Sequence, residues 1–103
     1  MTSVRVIVRG RVQGVGFRWF TREAAEAAGA TGWVRNRRDG SVEALLRGDA
    51  EAVDTVIDAM RDGPRHALVS ELVAKQEQDT EPGTDKDLKH DASANGFEIH
   101  PTA

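Results

Sequence analysis

A glycine-rich segment at residues 10–18, which reads GRVQGVGFR, carries residue types suited to binding an anion. Apolar residues alternate before this segment and recur every three or four positions after Phe17, so it joins a strand to the start of a helix. Backbone N–H groups at a helix start lack internal partners and carry partial positive charge. Glycine lets that backbone approach a ligand closely, and Arg18 adds a planar charge that can pair with phosphate or carboxylate. We predict a cradle for a tetrahedral oxyanion.

Two familiar nucleotide-binding motifs do not fit this segment. A P-loop needs lysine followed by serine or threonine after its last glycine, and Gly16 is followed by Phe17 and Arg18. In the dinucleotide fingerprint GxGxxG, Trp19 would stand where the third glycine belongs. Taken alone, the glycines and the arginine are equally compatible with an ordinary structural turn.

A second polar feature lies at residues 32–42, which read GWVRNRRDGSV. Asp39-Gly40 is a strong signal for a tight hairpin turn, and it places Asn36 at the end of the preceding strand. A neutral amide offers both a donor and an acceptor, so it can orient a water molecule. The commoner use of asparagine near such a turn is a hydrogen bond to its own backbone, and Asn36 by itself leaves both uses open.

Composition limits the chemistry further. The 103 residues include no cysteine, which excludes disulfides, thiolate catalysis and cysteine-ligated metals. The formal net charge is -3, but residues 1–48 carry nine arginines against four acidic residues, a net of +5 in the half that holds both features. A basic half suits an anionic ligand, although composition alone favours the simpler explanation that these elements have charged solvent-facing surfaces. No apolar run approaches the roughly 18 residues of a membrane span, so we expect a cytoplasmic protein.

Hydrophobic periodicity gives an order of strand, helix, strand, strand, helix, strand, followed by a short closing strand. The predicted strands cover residues 3–11, 31–36, 41–47, 68–76 and 96–100, and the helices run from Phe17 to a stop at Gly29 and from a cap at Asp49 to Gly63. Residues 79–95 are predicted to form a long polar loop. This order predicts one α+β domain over residues 1–103, a ferredoxin-like split βαβ plait with an antiparallel sheet and both helices on one face.

Together, the two polar segments closely resemble the signatures of the acylphosphatase family. Residues 10–18 are similar to its GxVQGVxFR motif, and residues 32–42 are similar to its second motif, GxVxNxxDGxV. The motifs stand in the family's order and spacing, and the resemblance covers essentially the whole chain. The family has the same plait that periodicity predicts. Only the 79–95 loop departs from the pattern, by being longer.

This resemblance implies an enzyme that hydrolyses acyl phosphates to a carboxylate and inorganic phosphate, without a metal, a cofactor or a covalent intermediate. It implies catalytic roles for Arg18, which would clamp the phosphoryl group, and Asn36, which would orient the attacking water. It also implies a phosphate-binding loop formed by the backbone of Gln13, Gly14, Val15, Gly16 and Phe17. The implied partner is a small-molecule acyl phosphate, with no nucleic acid and no membrane, and the expected state is a monomer.

The main alternative is a binding module on the same plait. An RNA-recognition domain would carry aromatic residues on its third strand, and residues 41–47 contain none, which argues against it. A non-catalytic anion sensor would share the cradle and Arg18, so only the second motif favours catalysis. Trp19 and Trp33 are interpreted as packing residues. The histidines lack metal-ligand spacing, and no metal site is predicted; they are His66, His90 and His100.

Overall fold

The computed structural model describes residues 1–77 and 96–103 of the chain. The elements, in chain order, are β1 (Thr2–Arg11), α1 (Phe17–Ala28), β2 (Thr31–Asn36), β3 (Val42–Gly48), α2 (Ala50–Asp62), β4 (Leu68–Gln76) and β5 (Phe97–Ile99). Their order and their bounds agree with the sequence prediction to within one residue. The polar loop predicted at 79–95, including His90, lies outside the described residues.

The five strands form one sheet in the order β4-β1-β3-β2-β5. The first four strands pair antiparallel, as predicted. The short β5 differs, because it runs parallel to β2 and is paired with it from Gly32 opposite Phe97 to Val34 opposite Ile99. The ferredoxin-like α+β fold is therefore confirmed, with a mixed rather than a wholly antiparallel sheet.

Strand register places the core on one face of the sheet. Val4 lies opposite Leu46 and Val8 opposite Val42, and all four side chains are buried. Both helices pack on this face, and α2 contributes the predicted apolar stripe, which is buried throughout: Val53, Val56, Ile57 and Met60. Burial of such side chains is the main source of folding free energy, at roughly 1.5–3 kcal/mol for each large apolar residue.

The helix ends agree in part with the prediction. Gly29 adopts a left-handed conformation and ends α1, and its N–H is donated to carbonyls of the last turn. Gly63 ends α2 and donates its N–H to the carbonyl of Ala59. Asp49 does stand at the N-cap position of α2, but its side chain makes no capping hydrogen bond. In the described part of the chain, no helix is long and apolar enough to cross a bilayer.

Candidate active site

The connection from β1 to α1 leaves several backbone N–H groups available to a ligand. Gly14 and Gly16 have φ angles of 76° and 79°, in the left-handed region that glycine adopts without strain. The helix's first internal hydrogen bond runs from the N–H of Phe20 to the carbonyl of Gly16, at 2.9 Å. Within the described residues, the N–H groups of Phe17, Arg18 and Trp19 therefore have no backbone acceptor. Their position at a helix start suits them to an anion.

A side chain in this loop also fastens it to the β2–β3 hairpin. The Gln13 amide nitrogen donates to the carbonyl of Arg37 at 2.7 Å and to the carbonyl of Ser41 at 2.9 Å. These carbonyls belong to the turn that follows Asn36, so Gln13 links the two sequence motifs directly. The sequence prediction treated Gln13 only through its backbone, because no pattern in one chain indicates which carbonyls a side-chain amide will reach.

Arg18 and Asn36 line one cleft of about 210 Å³ at the junction of these elements. Gly14, Gly16 and Phe17 line it as well, whereas Gln13 and Val15 belong to the same loop but not to the cleft lining. Val15 instead packs against the core. The roles assigned to these residues stay predictions, but the fold brings both polar side chains to the same cavity although they are far apart in sequence.

Asn36 stands at the last position of β2, and its backbone is fixed on both sides. It pairs with Val42 of β3, and its carbonyl accepts a hydrogen bond from the N–H of Ala103 at 3.0 Å. Within the described residues, its side-chain amide makes no hydrogen bond to protein. The backbone is held while the amide remains available in the cleft, which is the arrangement required to position a small molecule such as water.

Charge in the site is concentrated on Arg18. Among residues 1–77 and 96–103, the Arg18 guanidinium has no ion-pair partner, whereas Arg9 lies 3.3 Å from Asp39. The Asp39 carboxylate accepts hydrogen bonds within the turn, from the hydroxyl and the N–H of Ser41. These bonds lower the pKa of Asp39 to about 2, from an ordinary value of 3.8. A carboxylate held in this way is a poor proton acceptor near neutral pH. Its structural role agrees with the sequence interpretation.

The prediction that Trp19 is a packing residue is wrong. Its side chain is 56% exposed and lines the cleft beside Arg18, because it projects from the first turn of α1 away from the core. Trp33 is half-buried on the other face of the sheet, where its ring stacks on His100 with centroids 5.3 Å apart.

Comparisons with known proteins agree with this architecture. The sequence model of the acylphosphatase family matches residues 4–90. An acylphosphatase of Rhodopseudomonas palustris strain BisB18 is 47% identical over 102 residues, which are 98% of this chain and 97% of that protein. One from Nitrobacter winogradskyi is 56% identical over 68 residues, 66% of this chain and 69% of that protein. The crystal structure of acylphosphatase from Bacillus subtilis superposes with a TM-score of 0.81 at 33% identity, covering 97% of this chain and 99% of that one.

The fold and the cleft thus define a ferredoxin-like plait with a glycine-rich loop at the start of its first helix. The chain belongs to the acylphosphatase family. It is accordingly an enzyme, a hydrolase that acts on acyl phosphates.

Proposed function

We propose that this hydrolase works by positioning and charge stabilisation alone, with Arg18 and Asn36 as its catalytic side chains. The observation that carries the proposal is that both line one cleft together with the glycines of the β1–α1 loop. The phosphoryl group would accept hydrogen bonds from the unpaired N–H groups of the loop and from the Arg18 guanidinium. Because the guanidinium has no competing carboxylate within the described residues, its charge is available to the ligand.

Asn36 would orient a water molecule for attack on phosphorus. The new oxygen–phosphorus bond forms as the bond between phosphorus and the carboxyl oxygen breaks, and the carboxylate leaves with the electron pair. The water's proton passes to a phosphate oxygen of the substrate, since neither motif supplies a free base. Acyl phosphates have a good leaving group and react through a loose transition state, so a nucleophilic side chain is unnecessary.

The proposed function also includes the oligomeric state of the enzyme, its compartment and its partners. We infer a single domain over residues 1–103 that acts as a monomer in the cytoplasm, on a small-molecule acyl phosphate and without nucleic acid, membrane, metal or cofactor. The lack of an aromatic residue in β3 argues against base stacking. Light scattering on the purified protein tests the monomeric state.

The decisive assay is hydrolysis of benzoyl phosphate by enzyme prepared and assayed in excess EDTA. We expect full turnover under these conditions and competitive inhibition by inorganic phosphate, since product and substrate share the cradle. A preparation whose activity disappears with EDTA and returns with a divalent metal would refute the metal-independent mechanism. Radiolabelled phosphate that remains covalently attached to enzyme denatured during turnover would show a covalent intermediate and refute direct attack by water.

A further inference from the structure

The cleft has an apolar wall that the phosphate-binding residues leave unused. The side chains of Trp19 and Ile99, which are predominantly apolar, line the cavity next to Arg18 and Asn36. A single exposed apolar side chain is normal on a protein surface, but one that lines a cleft beside a charged group is placed to contact a ligand. Trp19, at 56% exposed, is the only aromatic residue that is largely exposed in the part of the chain described by the structure.

The Trp19 ring contacts a guanidinium from the next turn of its own helix. The Arg22 guanidinium carbon lies 4.7 Å from the ring centroid, close enough for a cation–π interaction. Arg22 in turn pairs with Glu26 one turn further along α1, at 3.6 Å. These three residues occupy successive turns of one helix, and their contacts favour the ring orientation that lines the cleft.

The substrate's own geometry places its acyl group at this wall. The acyl carbon is joined to phosphorus through a single bridging oxygen, so it lies only two bonds from the phosphoryl group held by the loop and Arg18. Trp19 follows Arg18 directly in the first turn of α1. The remaining lining of the cleft is mainly apolar, and a non-polar acyl substituent would lose water on contact with it.

We propose that Trp19 is a specificity-determining residue that binds the acyl group, and that this enzyme therefore prefers acyl phosphates with an aromatic or bulky apolar acyl part. The proposal rests on the proposed function of Arg18 and Asn36, since it assumes that they hold the phosphoryl end. A contact of this kind is present in both the ground state and the transition state. It therefore lowers KM and leaves kcat nearly constant.

The test compares Trp19→Ala with wild type on benzoyl phosphate and acetyl phosphate. We expect KM for benzoyl phosphate to rise about 3- to 10-fold, which corresponds to the loss of the binding free energy of one aromatic contact. The ratio of kcat/KM for benzoyl over acetyl phosphate should fall by a similar factor, because the acetyl group has little surface to offer the ring. Trp19→Phe should restore most of this ratio. Because the side chain is largely exposed, both variants should keep the wild-type unfolding midpoint.

Trp33→Phe is the matched control, because it changes the other tryptophan, on the opposite face of the sheet. It should leave the benzoyl-to-acetyl ratio unchanged, and it leaves Trp19 as the sole tryptophan fluorophore. In that variant, benzoate added with saturating phosphate should shift the emission, and acetate should not. An unchanged ratio in Trp19→Ala, or equal losses on both substrates, would overturn the proposal. Wild-type enzyme inactive on both substrates would instead overturn the proposed function itself.

Discussion

Arginine is used in opposite ways on the two sides of this molecule. On the sheet face away from the helices, the carboxylate of Glu43 is buried between Arg5 and Arg35, and the Arg35 guanidinium binds it at 2.8 Å. Arg5 also binds Glu77, at 3.2 Å. In the cleft, Arg18 has no carboxylate partner within the described residues. The same side chain therefore stabilises the fold in one region and remains available to a ligand in the other.

This contrast explains why net charge is a weak guide to the site. Much of the positive charge in residues 1–48 is neutralised locally, by partners that include Glu26, Asp39 and Glu43. A net charge obtained by counting residues gives each arginine equal weight. A bound anion, in contrast, responds to the positive charge that nearby carboxylates leave uncompensated. Arg18 combines an uncompensated charge with a place in the lining of the cleft.

The largest expected effect comes from removing the arginine that lines the cleft. Arg18→Ala should lower kcat/KM for benzoyl phosphate by about 10³-fold and weaken inhibition by phosphate, because charge is lost where the transition state needs it. Its unfolding free energy should stay within about 0.5 kcal/mol of wild type, since the substitution breaks no ion pair among the residues that the structure describes. Turnover kinetics and urea unfolding measure both quantities.

Arg5→Ala is the matched substitution on the other face. It should lower stability and leave kcat/KM within about twofold of wild type, because its partners Glu43 and Glu77 lie outside the cleft. Equal losses of activity in Arg5→Ala and Arg18→Ala would remove the distinction between the two regions.

The next largest effect is expected from Gln13, whose side chain links the two motifs. Gln13→Leu removes two hydrogen bonds to the hairpin and should lower kcat about tenfold and stability by about 1–2 kcal/mol. Gln13→Glu would place a carboxylate against two carbonyls at neutral pH, and its kcat should recover as the pH falls and the acid becomes a donor. A pH profile of kcat parallel to that of wild type would show that Gln13 has no positioning role.

Glu43, on the sheet face away from the helices, should affect stability but not activity. Glu43→Gln weakens the contacts to Arg5 and Arg35 and should cost about 1–2 kcal/mol, less than a fully buried pair because both arginines reach solvent. Its kcat/KM should match that of wild type. A selective loss of activity at full stability would place Glu43 in the catalytic machinery, contrary to this account.

Acid should destabilise the protein through the same paired carboxylates. Burial acts to raise the pKa of Glu43, but hydrogen bonds from Arg35 and Arg5 outweigh it and the pKa is lowered. The Ser41 hydroxyl and N–H lower the pKa of Asp39 to about 2. A lowered pKa stabilises the fold above the unfolded value near 4, and this contribution is lost as the pH falls toward 2. In urea unfolding from pH 6 to pH 2, Asp39→Asn should show a shallower decline than wild type, and an identical decline would contradict this assignment.

Regular elements were predictable because each depends on a local pattern. Val4, Val6 and Val8 alternate with charged or outward-facing residues, and α2 repeats its apolar residues every three or four positions. The direction of β5 was not predictable, since three residues carry no pattern that distinguishes parallel from antiparallel pairing.

The candidate site was predictable only through its two motifs, which place Arg18 and Asn36 at the ends of elements that meet. The contacts that support the site were not predictable from the sequence. Gln13 reaches carbonyls 24 and 28 residues away, and Glu43 lies 38 residues from Arg5. Such pairs are created by the tertiary fold, and the same is true of the exposure of Trp19, whose residue type favoured packing.

The most direct test of the account is the kinetic behaviour of Asn36→Ala. If Asn36 orients the attacking water, kcat for benzoyl phosphate should fall on the order of 10²-fold, while the inhibition constant for inorganic phosphate stays at the wild-type value. Asn36→Leu, which is nearly the same size and carries no charge, provides a control for the volume of the side chain. Full kcat in Asn36→Ala would contradict the account.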